Sequence, residues 1–140
     1  MHLSFALLCD AANLSQEGKL NILGVFDALQ VTQFPSVHPR ANLVVRLKGT
    51  RGDSGVHHVA ASWRNPQGTE LWSSNGQLDI GSPPPALTEL DMPLIVPCDL
   101  PLDGPGTYTM TITLDGERQA ELRLHVRDAA TPMPGAPMLS

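Results

Sequence analysis

Histidine side chains are the residues of this chain best suited to bind a metal ion. Three of the five histidines, His38, His58 and His125, could form a zinc site if the fold brought them together. Their spacing does not follow the His-x-x-x-His or Cys-x-x-Cys patterns that are typical of such sites. His57 and His58 are adjacent on a predicted strand, so their side chains should point to opposite faces of the sheet. The sequence therefore predicts no metal and no other cofactor, and His38, His58 and His125 are the candidate ligands to examine.

A serine within a glycine-rich stretch is the candidate nucleophile. Residues 52–55, Gly-Asp-Ser-Gly, resemble the segment around the catalytic serine of trypsin-like proteases. The next residues are Val56 and His57 rather than Gly-Pro, and the chain is too short for that two-barrel fold. The overlapping residues 51–53, Arg-Gly-Asp, match the tripeptide of integrin ligands, but glycine and aspartate are also favoured in turns. We therefore expect a polar turn here, with no catalytic residue and no adhesion motif.

Net charge limits the classes of partner. The chain has 140 residues, a length typical of one domain, and a formal net charge of -5. Its nine lysines and arginines are scattered, whereas nucleic acids and anionic membranes are normally bound through clustered basic residues. The composition therefore predicts neither a nucleic-acid partner nor a membrane partner.

The first nine residues could be mistaken for an export signal. No lysine or arginine precedes the short apolar run, and Leu8 stands before Cys9 where lipoprotein processing requires a small residue. No apolar stretch approaches the roughly 20 residues that span a bilayer. We expect a soluble cytoplasmic protein whose two cysteines, Cys9 and Cys98, are reduced thiols.

Alternating apolar residues predict that the chain begins with a β-strand. Leu3, Phe5, Leu7 and Cys9 share one face of residues 3–10. The opposite face is also rather apolar, which indicates a strand covered on both sides.

A hairpin is predicted to follow this strand. Residues 9–27 read as a strand end, a polar turn and a second strand, in which Gly18 supplies the positive φ of the turn. Gly24 interrupts the second strand, so we expect a bulge or a close approach of another backbone there. Gly18 and Gly24 are therefore predicted structural residues.

Further short strands follow with turn signals between them. Prolines at positions 35 and 39 predict a crossover loop over residues 34–39, and residues 75–86 predict a second loop. The clearest pattern is a two-stranded ribbon over residues 108–126, with one apolar face. The whole pattern predicts an all-β, antiparallel β-sandwich of seven to eight strands over residues 1–127. Residues 128–140 are predicted to be a flexible, proline-rich tail.

The stretch from Asp103 to Tyr108 resembles the tyrosine corner of immunoglobulin-like sandwiches. In those domains a tyrosine hydroxyl bonds to the backbone just before its strand, and a buried tryptophan packs nearby, a role for which Trp63 is the candidate. Met110 stands where antibody domains have their second cysteine, so the resemblance implies an immunoglobulin-like fold without the disulfide between the sheets. Trp63 and Tyr108 are therefore predicted structural residues.

Three segments also resemble a bacterial family of small proteins of unknown function. They are Cys-Asp-Ala followed by Gly-Lys-Leu-Asn-Ile-Leu-Gly-Val-Phe-Asp (residues 9–27), Phe-Pro-x-x-His-Pro before Leu-Val-Val-Arg (residues 34–46), and Pro-Gly-Thr-Tyr (residues 105–108). The resemblance implies a β-sandwich from a bacterium and carries over no catalytic residue.

Two functions fit these observations. The first is a non-enzymatic binding or assembly module that uses an exposed strand edge to bind a protein partner or to form a homo-oligomer. The alternative is a small metal-binding or ligand-binding protein, or an enzyme, that uses loop histidines and aspartates.

Overall fold

A computed structural model describes residues 1–81, 84 and 89–129. Nine strands form within this range. They are β1 (His2–Leu14), β2 (Leu20–Val25), β3 (Ala28–Val31), β4 (Ser36–Thr50), β5 (Gly55–Arg64), β6 (Glu70–Ile80), β7 (Glu89–Leu102), β8 (Gly106–Leu114) and β9 (Glu117–Asp128). One turn of 3₁₀ helix, Arg51–Asp53, joins β4 to β5.

The strands form two sheets that pack face to face. One sheet has four strands in the order β2-β1-β4-β7, and the other has five in the order β3-β9-β8-β5-β6. All pairings are antiparallel except that of β3 with β9, which is parallel. The predicted antiparallel β-sandwich is confirmed, with nine strands in the described part of the chain rather than seven to eight. The additional strand is β3, which has only four residues.

The core lies between the sheets and is built by alternation along each strand. In the predicted ribbon, β8 and β9 pair through the Asp115-Gly116 turn, with Gly116 at positive φ. The fully buried side chains of this core include Trp63, Tyr108, Met110 and Leu124, each at 0% exposure. Complete burial of an aromatic or aliphatic side chain stabilises the fold by roughly 1.5–3 kcal/mol, so this interior holds both sheets together.

The prediction that Leu3 shares one face of β1 with Phe5, Leu7 and Cys9 is wrong. A β-bulge lies between Leu3 and Phe5 in the pairing with β4. The extra residue reverses the alternation, so Ala6 and Leu8, rather than Phe5 and Leu7, contact the core beside Leu3.

The turn of the first hairpin lies where it was predicted. Gly18 has a φ of +81° between β1 and β2, and Gly24 in β2 has a φ of +72°. A Cβ atom on Gly24 would overlap the Asp10 side chain, whereas one on Gly18 would meet no atom within 4 Å.

Both predicted loops are partly strand. The structure begins β4 at Ser36, and a bulge between His38 and Ala41 accommodates Pro39, where Arg40 takes a φ of +58°. Residues 75–80 are the second half of β6 instead of a loop, because they pair with β5 in unbroken register. The rest of the second loop is only partly described.

The predicted tail begins within β9. Asp128 is the last residue of that strand, and the Ala129 amide donates to the Val31 carbonyl over 2.9 Å. Residues 130–140 lie outside the described residues.

Candidate functional site

The three candidate histidine ligands do not come together as a set within the described residues. His38 is on β4, where its ring packs edge-on against Phe26 with 5.4 Å between the ring centroids. His125 pairs with Thr107 at the start of β8, whereas the His58 amide bonds to Asp115 just beyond the end of β8. The eight residue-to-residue steps from Thr107 to Asp115 separate these two histidines by roughly 26 Å at the rise of a strand. Within the described residues, no three histidine, cysteine or acidic side chains are placed to hold a metal ion.

His57 makes the histidine and carboxylate pair that the sequence did not predict. Its Nδ1 lies 2.6 Å from Asp115 Oδ2, and its Nε2 faces the Asp53 carbonyl oxygen. Both ring nitrogens therefore face acceptors, an arrangement that favours the doubly protonated imidazolium. The hydrogen bond to Asp115, and next the one to Asp53, raises the pKa of His57. The bond from His57 likewise lowers the pKa of Asp115.

The Gly-Asp-Ser-Gly segment lacks the geometry of a nucleophile. The Ser54 hydroxyl donates to the Arg51 carbonyl over 2.9 Å, and His57 Nε2 bonds to Asp53 rather than to Ser54. Within the described residues the Ser54 hydroxyl thus bonds to a carbonyl and not to a base that could activate it, and residues 51–53 form the expected turn.

The aspartate of the Arg-Gly-Asp turn is engaged within the chain. Asp53 Oδ1 lies 2.7 Å from the Met1 ammonium group, and Oδ2 accepts the Thr50 amide over 2.7 Å. These contacts, the ammonium first, lower the pKa of Asp53 to about 2. A carboxylate with these partners closes the turn and is poorly presented to a receptor.

The Tyr108 hydroxyl is hydrogen-bonded to the segment that joins β7 to β8. Tyr108 Oη accepts the amides of Asp103 and Gly104 over 2.8 and 3.0 Å. Its own hydrogen points to Asp103 Oδ1 or to the Gly104 carbonyl, each 2.7 Å away. The ring stacks on Trp63 with 5.3 Å between centroids, and Trp63 Nε1 donates to the Pro101 carbonyl. Trp63 and Tyr108 thus tie the β7–β8 connection to the core.

The cysteines are free thiols. Cys9 is fully buried on β1, whereas Cys98 lies on β7 and packs against the core, with β4 between the two strands. Burial raises the pKa of Cys98 to about 11. Burial, followed by a smaller effect of Asp10, also raises the pKa of Cys9. Neither thiol is therefore an activated nucleophile.

The four edge strands of the two sheets differ in how well another chain could pair with their backbone. On one side β2 and β3 are short, with six and four residues. On the other side β7 carries Pro93, Pro97 and Pro101 at intervals of four residues. Alternate backbone N–H groups of a strand point the same way, and prolines are tolerated in a strand only where the missing N–H would face away from the ladder. Since the β4–β7 ladder continues past all three positions, these prolines remove donors from the outer side of β7.

The remaining edge strand, β6, has none of these protections. It has 11 residues, contains no proline, lysine or arginine, and pairs only with β5 among the described strands. Residues 73–77, Ser-Ser-Asn-Gly-Gln, are all exposed and carry short or uncharged side chains. Long, regular edges with unpaired backbone groups are templates for another strand. β6 is therefore the most accessible strand edge of the described structure.

The sequence did not predict this edge. Gly76 and the polar residues around it indicated a loop, because an edge strand with one exposed face lacks a strong apolar alternation. The signal that could have revealed it is Leu78 and Ile80, which follow Trp72 at even spacing and face the same side.

Comparisons with known proteins give the family but no activity. No helix in the described residues is long and apolar enough to cross a membrane. No curated protein matches the chain. A family model described as a family of unknown function, DUF6941, matches residues 4–127, which is the sandwich from β1 to β9. The chain therefore belongs to the family of unknown function DUF6941.

Proposed function

We propose that this domain is a non-enzymatic protein-binding module that adds an extended segment of a partner to its five-stranded sheet along β6. The observation that carries the proposal is the contrast between the edges. β2 and β3 are short and β7 is blocked by prolines, whereas β6 offers 11 residues of open, regular strand.

The chemistry of β6 supports strand addition. In an antiparallel sheet the backbone groups of alternate residues face outward, so β6 can offer donors and acceptors at about five residues. Each hydrogen bond contributes a net of about 0.5–1.5 kcal/mol, and ordering the added segment offsets part of this. We therefore expect micromolar rather than nanomolar affinity from the backbone alone.

The contacts around Ser54 and His57 support a non-enzymatic role. His57 uses both ring nitrogens on Asp115 and Asp53, and Ser54 bonds to a carbonyl. These groups stabilise the turns beside β5 and are not arranged around a reacting atom.

We also propose that the sandwich is immunoglobulin-like and that the protein works in a bacterial cytoplasm. The tyrosine corner at Tyr108 and its stacking on Trp63 support the first point. Two free thiols, Cys9 and Cys98, support a reducing compartment.

Self-association is tested first, by light scattering after size exclusion over a hundredfold range of concentration. The unmodified protein is compared with a variant carrying Asn75→Lys and Gln77→Lys on β6, since lysine on an edge opposes strand pairing. Thr111→Lys on the central strand β8 is the matched control. A dimer of the 15.0 kDa chain that is lost only in the β6 variant would identify a second copy as the partner.

Selection from a library of 12-residue peptides tests strand addition if the protein is monomeric. We expect selected peptides to protect alternate β6 amides from hydrogen exchange and to lose affinity for the β6 variant but not for Thr111→Lys. Peptides that protect amides on another strand, or that bind the β6 variant equally well, would show that β6 is not the binding element.

A further inference from the structure

The outer face of the four-stranded sheet carries apolar side chains. Leu43 and Val45 belong to the core, so Val44 between them points to the opposite side of the sheet. Val44 pairs with Leu7 on β1 and with Ile95 on β7, and paired residues share a face. Further outward positions follow at steps of two residues along each strand and across each pairing, and the apolar ones are Phe5, Cys9, Ala11, Leu23, Val25, Pro93 and Pro97. Together these residues are called the apolar face.

The outer face of the five-stranded sheet is polar by comparison. Ile112 is a core residue, so Thr111 and Thr113 beside it on β8 point outward. Thr111 pairs with Glu121 on β9 and with Ser62 on β5. Outward positions of a sandwich normally carry such polar residues. One outer face of this chain therefore suits water, whereas the other suits contact with a second apolar surface.

Three neighbouring strands carry unbroken apolar runs at the same level of the sheet. The runs are residues 5–9 of β1, 43–45 of β4 and 94–96 of β7. Continuous apolar runs are typical of strands that are buried on both faces. In the single chain, Leu23 and Val25 on β2 are instead 71% and 61% exposed. The pattern of the sequence therefore indicates that another surface covers the apolar face.

The size of this sheet face fits a stable dimer. β1, β4 and β7 have 13, 15 and 14 residues, and β2 has six. With a rise of about 3.3 Å per residue and about 4.8 Å between strands, the face covers roughly 750 Å². A specific interface of standard size buries about 800 Å² on each partner, so one copy of this face against another comes close to that area.

The charges at the end of the face favour a second copy over a charged partner. Arg46 forms an ion pair with Asp91, and Lys48 Nζ lies 3.7 Å from Glu89 Oε1. These two cations and two anions balance, so this rim neither attracts a strongly acidic or basic partner nor repels its own copy. An apolar centre beside a polar rim is also the usual anatomy of a protein–protein interface.

We propose that two copies of this chain form a dimer through the outer faces of their four-stranded sheets, with the apolar face of one copy packed against that of the other. A two-fold axis between the faces near Val44 would let the same surface serve on both copies. Stacked sheets pack about 10 Å apart, so side chains of the two faces would interdigitate as in a sandwich core. The proposal goes beyond strand addition, because it uses the face of one sheet whereas β6 is the edge of the other.

Light scattering after size exclusion tests the dimer with the full-length protein over a hundredfold range of concentration. We expect a mass of twice 15.0 kDa at the upper end of the range. The face variant carries Leu23→Lys and Val25→Lys, because both side chains are exposed in the single chain and the changes should leave its folding intact. The dissociation constant should rise at least tenfold, since two ammonium groups would lose hydration in the interface.

A second variant and a matched control separate the face from the strand edges. Lysines on β2 would also oppose pairing along the edge of that strand, so Ile95→Lys repeats the test on β7, whose edge is closed by prolines. Asn75→Lys with Gln77→Lys adds the same two charges to β6 and should leave the dimer intact. Circular dichroism on heating verifies that each variant is folded, and Ile95→Ala replaces Ile95→Lys if the latter is not.

The outcomes are distinct. A monomer at every concentration, or a dimer that both the β2 and the Ile95 variants leave unchanged, would overturn the proposal. Loss of the dimer in the β2 variant alone would identify pairing along the edge of β2 and would also overturn it. A dimer lost only in the β6 variant would overturn it as well and would support strand addition along β6. Failure of strand addition at β6 would leave the dimer through the apolar face in place.

Discussion

Removing the hydroxyl of Tyr108 tests whether the tyrosine corner stabilises the sandwich. Tyr108→Phe keeps the ring, its complete burial and its stacking on Trp63, so only the hydroxyl and its hydrogen bonds are lost. That oxygen accepts two backbone amides, from Asp103 and Gly104, and shares its hydrogen with Asp103 Oδ1. The change therefore removes contacts that close the β7–β8 connection.

The magnitude follows from where these partners lie. A net hydrogen bond contributes about 0.5–1.5 kcal/mol, and leaving a buried donor without its acceptor costs about 1–3 kcal/mol. Asp103 is exposed, so water can replace the tyrosine there, whereas Gly104 is only half-exposed. We therefore expect the free energy of unfolding to fall by about 2 kcal/mol, rather than by the sum of three full hydrogen bonds.

Equilibrium unfolding in urea measures this change. With a slope of about 2 kcal/mol per molar urea, the midpoint should move down by about 1 M with the slope unchanged. Thr107→Val is the control, because it removes a hydroxyl from the same strand whose contact, to His125 Nδ1, is exposed; its effect should be below about 0.5 kcal/mol. A Tyr108→Phe effect no larger than that of the control would refute the reasoning.

Three further outcomes are expected. The pKa of His57 is raised in the folded state, so folding favours its protonated form. The stability that the His57–Asp115 pair contributes is therefore complete below about pH 6.5 and is lost as the pH rises through the folded pKa. The stability advantage over Asp115→Asn should therefore shrink in urea melts as the pH rises above about 6.5, and an advantage independent of pH would contradict the pairing. Gly18→Ala and Gly24→Ala both force alanine into positive φ. The free energy of unfolding should fall by about 1 kcal/mol for Gly18→Ala and by at least about 2 kcal/mol for Gly24→Ala, because the new Cβ of the latter also meets the Asp10 side chain. Equal urea midpoints for the two variants would count against this. Burial raises the pKa of the Cys98 thiol to about 11, so at pH 8 it should react with iodoacetamide about 100-fold more slowly in the folded than in the unfolded protein. Mass spectrometry follows the reaction. Comparable rates in the two states would show that the thiol is not desolvated.

The sequence predicted best where burial and turn chemistry point to the same structure. The β8–β9 ribbon has apolar residues at every second position and an Asp-Gly turn at Asp115, so its strands, turn and inward face all agreed with the structure. The corner at Tyr108 was likewise predictable, since a tyrosine shortly after a Gly-Pro-Gly segment is a local motif.

Register was harder to predict, because it depends on pairing with a distant strand. The bulge between Leu3 and Phe5 is an irregularity of the β1–β4 ladder, and nothing in the local sequence of β1 marks it. Once one residue is added, each later side chain moves to the other face. The His57–Asp115 pair was missed for the same reason, because the β5 strand and the β8–β9 turn meet only in the tertiary structure.

The least predictable strand is also the one proposed to bind, and both facts have one physical cause. Alternating apolar residues indicate a strand because they are the side chains that the strand buries in its own fold. A strand segment that buries few side chains therefore shows little alternation and is hard to predict. Residues 73–77 of β6 are exposed, and the inward pair Ser74 and Gly76 fills no core space. These small residues leave the backbone edge accessible and leave an apolar cavity behind it. A strand with weak apolar alternation that pairs with a strand of strong alternation, as β6 pairs with β5, can therefore indicate an element whose packing is completed by another molecule.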